Sequence, residues 1–149
     1  MGALVAESRL TRRFEKLKEK NRAALVTFIT ANDPDPALFR QLLEGLPTAG
    51  ADIIELGMPF SDPMADGPSV QLSSQRALQA GVSIDDVLGA VADMREWEMD
   101  TPVILMGYYN PIYRYGPAEF SEAAANAGVD GVIIVDLPPE EAEAVSYTH

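Results

Sequence analysis

The chain has 149 residues, a mass of 16.1 kDa and 47% hydrophobic residues, which suits one domain with a core of ordinary size. Its formal net charge of −12 argues against a nucleic-acid partner, because phosphates require a basic surface. Seven of the eleven basic residues lie within residues 9–22, where Glu15 and Glu19 interrupt them at helical spacing. That pattern is typical of a solvated helix face.

Cysteine is absent and the one histidine is His149, so disulfides, thiolate metal sites and histidine-based catalysis are excluded. No apolar run approaches the roughly 18 residues of a membrane span, and the beginning of the sequence carries no signal-peptide pattern. These features favour a cytoplasmic protein.

Four short apolar runs, at residues 25–30, 52–57, 102–108 and 131–136, predict strands. Near-continuous apolar runs indicate parallel strands that are covered by helices. Each run ends in polar or turn residues, such as Tyr109-Asn110-Pro111 after the third. The segments around them predict helices at 10–20, 37–46, 69–79, 84–97, 117–127 and 138–145.

Two of these helices carry local signals. In the helix at 37–46, Leu38, Leu42 and Leu46 form an apolar stripe, and Pro47 is expected to end the helix early. In the helix at 84–97, Ser83 followed by Asp86 predicts an N-terminal cap.

A short repeat precedes the second and fourth strands. The phrases AGAD at residues 49–52 and AGVD at residues 127–130 place a glycine that ends a helix before an aspartate that leads into a strand. The element order, a helix followed by four strand–helix units, fits either half of a (β/α)₈ barrel or a small open α/β sheet. No G-x-G-x-x-G follows a strand, which argues against a dinucleotide-binding domain.

Two carboxylates stand out in the segment ELGMPFSDPMADGP, residues 55–68. Glu55 interrupts a predicted buried strand, where a charge is costly unless it has a partner or a function. Asp66 follows in a loop that contains three prolines and two glycines. From these residues alone, Glu55 could be an ion-paired strand residue and Asp66 an ordinary Asp-Gly turn residue.

The same segment closely resembles the most characteristic stretch of the tryptophan synthase alpha subunit family. Phe28-Ile29-Thr30 with Asp33-Pro34, MGYYNP at 106–111 and VDLPPEE at 135–141 resemble further family segments in the same order. The resemblance covers residues 10–145 and implies the N-terminal half of a (β/α)₈ TIM barrel: four parallel strands with helices, preceded by an N-terminal helix. We expect one partial domain, with residues 1–9 a flexible extension and residues 146–149 a non-native tail.

The resemblance also implies an activity. Family members are lyases of tryptophan biosynthesis that split indole-3-glycerol phosphate into indole and glyceraldehyde 3-phosphate. They use no metal and no organic cofactor of their own, and they assemble as a heterotetramer with a beta subunit that carries pyridoxal phosphate. By resemblance, Glu55 is the acid/base residue, with a pKa that desolvation should raise if its face lines a barrel. By the same resemblance, Asp66 is expected to be the second catalytic residue, which accepts a hydrogen bond from the indole N–H.

Other positions carry over from the family as contacts. The positions that match substrate contacts are Phe28, Thr30, Met106, Tyr108, Ile133 and Val135, for which ordinary barrel core is the alternative. The positions that match the surface facing the beta subunit are Asp62, Asn110 and Pro111; for Asp62, a solvated loop acid is the alternative.

Half a barrel is expected to have little activity by itself, because this fold usually grips a substrate phosphate with loops after strands seven and eight. Two hypotheses therefore remain: a lyase subunit, or a non-catalytic half-barrel fragment that acts at most as a partner-binding module. Another phosphate-binding barrel is a third, weaker one. Strands one and four would also be open edges, which favours self-pairing or aggregation.

Overall fold

The computed structural model describes residues 8–142, and the structural statements below refer to that part of the chain. One four-stranded parallel sheet follows the chain order, with the strands β1 (Val26–Thr30), β2 (Ile53–Gly57), β3 (Val103–Gly107) and β4 (Gly131–Ile134). The four predicted strands are confirmed, each shorter by one or two residues. The predicted non-native tail at residues 146–149 lies outside the described residues. Residues 1–7 of the predicted N-terminal extension lie outside them as well.

Six α-helices surround the sheet within residues 8–142, followed by a 3₁₀ turn at Pro139–Glu141. They are α1 (Arg9–Glu19), α2 (Pro36–Ala49), α3 (Pro68–Gln79), α4 (Ile84–Arg95), α5 (Tyr109–Tyr115) and α6 (Pro117–Ala127). The 3₁₀ turn takes the place of the start of the predicted last helix, and residues 143–145 of that helix lie beyond the described range. No helix in the described part of the chain is long and apolar enough to cross a membrane.

The ends of α1 and α4 follow their sequence signals. Ser8 caps α1 by accepting a hydrogen bond from the backbone N–H of Thr11, so Ser8 and Arg9 belong to the helix rather than to a flexible extension. Ser83 and Asp86 form the predicted cap of α4, with each side chain accepting a hydrogen bond from the other's backbone N–H.

The helix α5 was not predicted. The sequence predicts only that its first residues, Tyr109-Asn110-Pro111, are polar or turn residues that end the third strand. In the structure Pro111 lies in the first turn, where backbone N–H groups have no intrahelical acceptor and the missing N–H costs nothing.

The helix α2 differs from its prediction at its end. It continues through Pro47 to Ala49 and ends where Gly50 adopts a left-handed φ of 107°, so the predicted early stop is wrong. A proline this close to the end removes one hydrogen bond, whereas the glycine ends the helix by turning the chain.

The buried face of α2 also differs. Phe39 and Leu43 are buried, while Leu38 and Leu42 of the predicted stripe are exposed. Apolar residues run around much of this helix, so the spacing alone did not identify the packed face.

The two faces of the sheet have different surroundings. The outer face packs against the helices, where it forms the core with fully buried Ile54, Leu56, Val103 and Leu105. On the inner face the register aligns two rows of side chains. One row is Phe28, Glu55, Ile104 and Gly131, and the next is Thr30, Gly57, Met106 and Ile133. This inner face would be the interior of a closed barrel.

The N-terminal edge of the sheet is held by buried Asp52, which precedes β2. Its carboxylate accepts a 2.7 Å hydrogen bond from the backbone N–H of Leu25 and a 2.6 Å hydrogen bond from Arg22. The Arg13 guanidinium on α1 lies 3.8 Å from the same carboxylate. The hydrogen bond from Arg22 holds the pKa of the Asp52 carboxyl below its usual value.

Asp130, which precedes β4, repeats the arrangement one pair of strands further on. It accepts a 2.9 Å hydrogen bond from the backbone N–H of Val103, a 2.7 Å one from Arg95 and a 3.0 Å one from Arg9 of α1. The repeated phrases AGAD and AGVD therefore place a carboxylate that ties neighbouring strands to α1.

The basic stretch is consequently not one solvated face. Lys16, Lys18 and Lys20 are exposed as predicted, but Arg9 and Arg13 of α1 are only partly exposed and form ion pairs at the base of the sheet.

Asp130→Asn should lower the free energy of unfolding by about 3 kcal/mol, because it leaves buried Arg95 without its counter-charge. Asp93→Asn is a matched control, since the Asp93–Arg40 pair is 57% and 66% exposed and should contribute under about 1 kcal/mol. Urea unfolding of both variants tests this, and equal effects would contradict it.

The lowered pKa of Asp52 predicts an acid-dependent loss of stability. The unfolded carboxyl titrates near about 3.9 and the folded one below that. The contribution of Asp52 is therefore fully present above the unfolded pKa and is lost as pH falls through the folded pKa. The difference in unfolding free energy between the natural chain and Asp52→Asn should shrink from pH 6 to pH 2; a constant difference would be inconsistent with this ion pair.

Candidate functional site

Glu55 lies in the middle of β2 on the inner face of the sheet, level with Phe28 of β1 and Ile104 of β3. The residue is half-buried, and within residues 8–142 its carboxylate forms no hydrogen bond or ion pair. Within the described residues, Glu55 is therefore not the ion-paired strand residue that the sequence left open as the alternative. An unpaired carboxylate on an apolar face is available for proton transfer.

Asp66 lies at the C-terminal end of the same strands, in the β2–α3 loop. Its backbone carbonyl accepts a 2.8 Å hydrogen bond from the Gln71 side chain, and the next residue, Gly67, is the N-cap of α3. The loop thereby fixes a partly exposed carboxylate at the edge of the inner face. Asp66 lines a narrow cleft together with Phe28, Met106 and Tyr108.

Tyr108 connects β3 to the loop that carries Asp66. Its side chain is 3% exposed, its ring centroid lies 5.5 Å from that of Phe60, and its hydroxyl accepts a 2.9 Å hydrogen bond from the backbone N–H of Ala65. Burial raises the pKa of the Tyr108 hydroxyl, and the neighbouring Asp66 carboxylate acts in the same direction. Tyr108 therefore stays protonated and sets the position of the loop beside Asp66.

The ring of Phe28 occupies space that Gly57 leaves free. A Cβ atom at Gly57 would lie 2.7 Å from Cζ of Phe28, which is far closer than two carbon atoms can approach. The glycine of the ELG phrase therefore allows the ring to lie beside the cleft.

Three predicted contact residues have other surroundings. The Thr30 hydroxyl is buried and lies 2.7 Å from the hydroxyl of Ser73, which itself donates to the backbone carbonyl of Val70. This bond ties β1 to α3. Ile133 and Val135 are exposed on the inner side of the edge strand and its continuation. Neither lines the cleft of Asp66, although Ile133 is the neighbour of the cleft residue Met106 across the sheet.

The residues predicted to face a partner lie around a second, larger cleft. Asn110 and Pro111 line this cleft of about 530 Å³, together with Phe60 and Ser61 from the loop that carries Asp62. Asp62 itself is exposed next to them. The structure thus brings the two predicted partner segments together on the outside of the C-terminal strand ends.

Several residues in or near these clefts are not indicated by the sequence. Phe60 packs on Tyr108, Arg114 lines the larger cleft, and Asp136 accepts a 2.7 Å hydrogen bond from the backbone N–H of Tyr109 at the start of α5. Asp136 follows a strand, a position that could have indicated a role. No group of three or more acidic, histidine or cysteine side chains in residues 8–142 could hold a metal ion.

Fold and site together define a class of protein: a parallel α/β half barrel whose carboxylates and clefts lie at or near the C-terminal ends of the strands, where barrel enzymes carry their chemistry. The sequence model of the tryptophan synthase alpha chain matches residues 14–148. The chain therefore belongs to the tryptophan synthase alpha chain family, and its fold is the N-terminal half of that TIM barrel.

Individual sequences and solved structures that resemble this chain come from the same family. The tryptophan synthase alpha chain of Caulobacter sp. strain K31 is 56% identical over 138 residues, which cover 93% of this chain and 50% of the relative. The crystal structure of the alpha subunit from Legionella pneumophila strain Paris superposes with a TM-score of 0.92 at 50% identity, covering 96% of this chain and 55% of that one. A tryptophan synthase from M. tuberculosis in its aminoacrylate-bound form gives 0.85 at 38% identity, covering 91% and 55%. The chain spans about half the length of these relatives.

Gly57→Ala should destabilise the fold by about 1–3 kcal/mol, since the added methyl group must displace the Phe28 ring. Gly45→Ala is the matched control: nothing lies within 4 Å of a Cβ there, and alanine in α2 should stabilise by up to about 1 kcal/mol. Denaturant unfolding should give opposite signs; a neutral Gly57→Ala would mean that the ring adapts freely.

Proposed function

We propose that this chain supplies the acid/base half of a site that cleaves indole-3-glycerol phosphate into indole and glyceraldehyde 3-phosphate. The observation that carries the proposal is the pair of carboxylates on one side of the sheet: unpaired Glu55 on the inner face, and Asp66 in the cleft at its C-terminal edge. Family membership supports the same reaction.

Glu55 is assigned the proton transfers. The retro-aldol step breaks the bond between C3 of the indole ring and the glycerol phosphate chain, so C3 must gain a proton and the chain hydroxyl next to it must lose one. One carboxyl group can donate the first proton and accept the second, which returns it to its starting state. The partly buried position of Glu55, without a counter-ion among the described residues, suits a group that exchanges protons.

Asp66 is assigned to the indole nitrogen. Protonation of C3 places positive charge on the ring, and a carboxylate that accepts the N–H hydrogen bond stabilises this charge. Tyr108 and the bonds of the β2–α3 loop hold Asp66 beside Phe28 and Met106. These two apolar side chains offer surfaces for an indole ring.

The proposal includes low activity for the 149-residue chain by itself. The chain spans about half the length of its relatives, and this fold usually binds a substrate phosphate with loops after strands seven and eight. Binding energy from a remote phosphate normally orients the reacting atoms, so its absence lowers turnover.

The partner and the cofactor are assigned by family. We propose that the larger cleft and the exposed Asp62, Asn110 and Pro111 beside it face a tryptophan synthase beta subunit. Pyridoxal phosphate is then expected on that subunit and not on this chain. A cytoplasmic setting belongs to the same proposal and is consistent with the cysteine-free sequence.

The decisive experiment measures indole release from indole-3-glycerol phosphate by two proteins: the 149-residue chain, and a chimera that continues it with the C-terminal half of the Caulobacter relative. We expect the chimera to be active and the chain alone to be at least about 100-fold slower. In the chimera, Glu55→Gln should reduce kcat by about 10²–10⁴-fold and Asp66→Asn by about 10²–10³-fold.

Asp93→Asn, at an exposed position of α4, is the control and should leave the rate unchanged. An active chimera that is indifferent to Glu55→Gln would refute the acid/base assignment. A folded chimera without lyase activity that still binds the beta subunit would favour the alternative, a partner-binding module.

A further inference from the structure

The sequence contains two Asp-Gly pairs, Asp66-Gly67 and Asp130-Gly131. An aspartate that precedes a glycine can rearrange without an enzyme, because glycine has no Cβ atom to shield its backbone nitrogen from the neighbouring carboxyl group. The fold places the same dipeptide in two different environments. A comparison of the two pairs therefore separates the effect of structure from that of sequence.

The pair Asp130-Gly131 is held by many contacts. The buried carboxylate of Asp130 accepts hydrogen bonds from the backbone N–H of Val103 and from the side chains of Arg95 and Arg9. Gly131 is the first residue of β4 and pairs with β3. The carboxyl group can reach the next backbone nitrogen only if these contacts open locally, which costs free energy.

The pair Asp66-Gly67 has few restraints. Gly67 is the N-cap of α3, and within residues 8–142 its N–H donates no hydrogen bond. The carboxylate of Asp66 forms no ion pair in that range and has the Tyr108 hydroxyl as a neighbour. The peptide group that joins the two residues is restrained by one hydrogen bond, of 2.8 Å, from Nε2 of Gln71 to the carbonyl oxygen of Asp66. Rotation of this peptide group therefore breaks a single bond.

The structure does not require glycine at position 67. Its backbone has φ −73° and ψ 167°, an extended conformation that any residue adopts, and nothing lies within 4 Å of a Cβ atom built there. Alanine therefore fits this position. Gly67→Ala adds a methyl group next to the backbone nitrogen without displacing a neighbour, which makes it a suitable test variant.

We propose that Asp66 is a site of spontaneous isoaspartate formation, and that the fold protects Asp130 from the same reaction. The backbone nitrogen of Gly67 forms a bond to Cγ of Asp66. The amide proton and the hydroxyl of the protonated carboxyl group leave as one water molecule, which closes a cyclic succinimide.

Water then opens the ring at one of its two carbonyl carbons. Cleavage of the bond from nitrogen to Cγ restores aspartate. Cleavage of the bond from nitrogen to the main-chain carbonyl carbon leaves the chain joined through Cγ, and the product is isoaspartate. The water released in the first step is taken up in the second, so the reaction needs no oxidant and no cofactor.

The rearrangement changes the loop that carries Asp66. It inserts the Cβ atom into the main chain and leaves the free carboxylate attached directly to Cα. The carboxylate is thereby withdrawn from its place beside Phe28 and Met106. Isoaspartate formation does not depend on the reaction proposed above, whereas its effect on lyase activity does.

The modification is measured on the purified 149-residue chain after several weeks in warm neutral buffer. A protein isoaspartyl methyltransferase with labelled S-adenosylmethionine quantifies isoaspartate, and peptide mapping locates it. We expect at least about tenfold more isoaspartate at Asp66 than at Asp130, since Asp130 reacts only after local opening. The same ratio is expected in the chimera described above. In urea the two rates should agree within about twofold, because unfolding removes the difference in environment.

Two variants test the local argument. Gly67→Ala should slow the reaction at Asp66 by about tenfold or more, because the added methyl group hinders the nitrogen. Gln71→Ala should accelerate it by about threefold to tenfold, because it removes the hydrogen bond that restrains the peptide group. Neither change should alter the rate at Asp130. Far-UV circular dichroism establishes that both variants are folded, and the comparison of Asp66 with Asp130 in the natural chain needs no variant.

The chimera also separates this proposal from the proposed reaction. Its rate of indole release should fall in proportion to the isoaspartate at Asp66, and the Gly67→Ala chimera should keep its own starting rate for longer. Isoaspartate at Asp66 without loss of activity would refute the assignment of Asp66 to the indole nitrogen, while the modification itself would be confirmed.

Three results would overturn the proposal. They are as much isoaspartate at Asp130 as at Asp66 in the folded chain, no isoaspartate at Asp66 of the folded chain under conditions in which the unfolded chain accumulates it, and a rate at Asp66 that Gly67→Ala does not change.

Discussion

The structure depends on two buried carboxylates at the start of alternate strands. Asp52 and Asp130 each accept a backbone N–H from the strand before their own, and each pairs with arginines. Neither could be buried without such partners. Because Arg9 of α1 reaches Asp130 and Arg13 reaches Asp52, one helix crosses beneath the sheet and holds both ends of it. These bonds fix the register of the strands at the N-terminal edge of the sheet, independently of the residues of the candidate site.

This arrangement separates stability from chemistry along the strands. At the base, the carboxylates are saturated with donors and serve the fold. In the middle and at the C-terminal end, Glu55 has no partner within residues 8–142, and Asp66 is held through its loop rather than through a counter-ion. Barrel enzymes generally place conserved chemistry at the C-terminal end and stability at the base. The difference in partners, more than the residue type, distinguishes the acids that fold the chain from those available to a reaction.

The strands and most helices could be predicted because their signals are local: apolar runs, caps and the glycines that end helices. The partners of Asp52 and Asp130 could not, since those contacts join residues 27 or more positions apart and need the sheet to be formed. The same holds for the bond from Ala65 to Tyr108, which spans 43 positions. The carboxylates of the site were found through a family phrase, and physical reasoning alone left Glu55 open between an ion pair and a catalytic acid. The structure removes the first alternative within the described residues.

The inner face has two properties that act against each other. Its apolar side chains gain free energy when another surface covers them, which is the driving force for closing a barrel. Its single carboxylate loses hydration in the same event, and a face optimised only for closure would carry an apolar residue at Glu55. Retaining a charge there is an energetic cost that a purely structural half barrel has no reason to bear. The cost is explained if the enclosed carboxylate exchanges protons with a bound molecule, because a partly dehydrated acid is more effective in that role than a solvated one. The obstacle to closing the interior and the group that we propose gives the interior a function are therefore the same side chain.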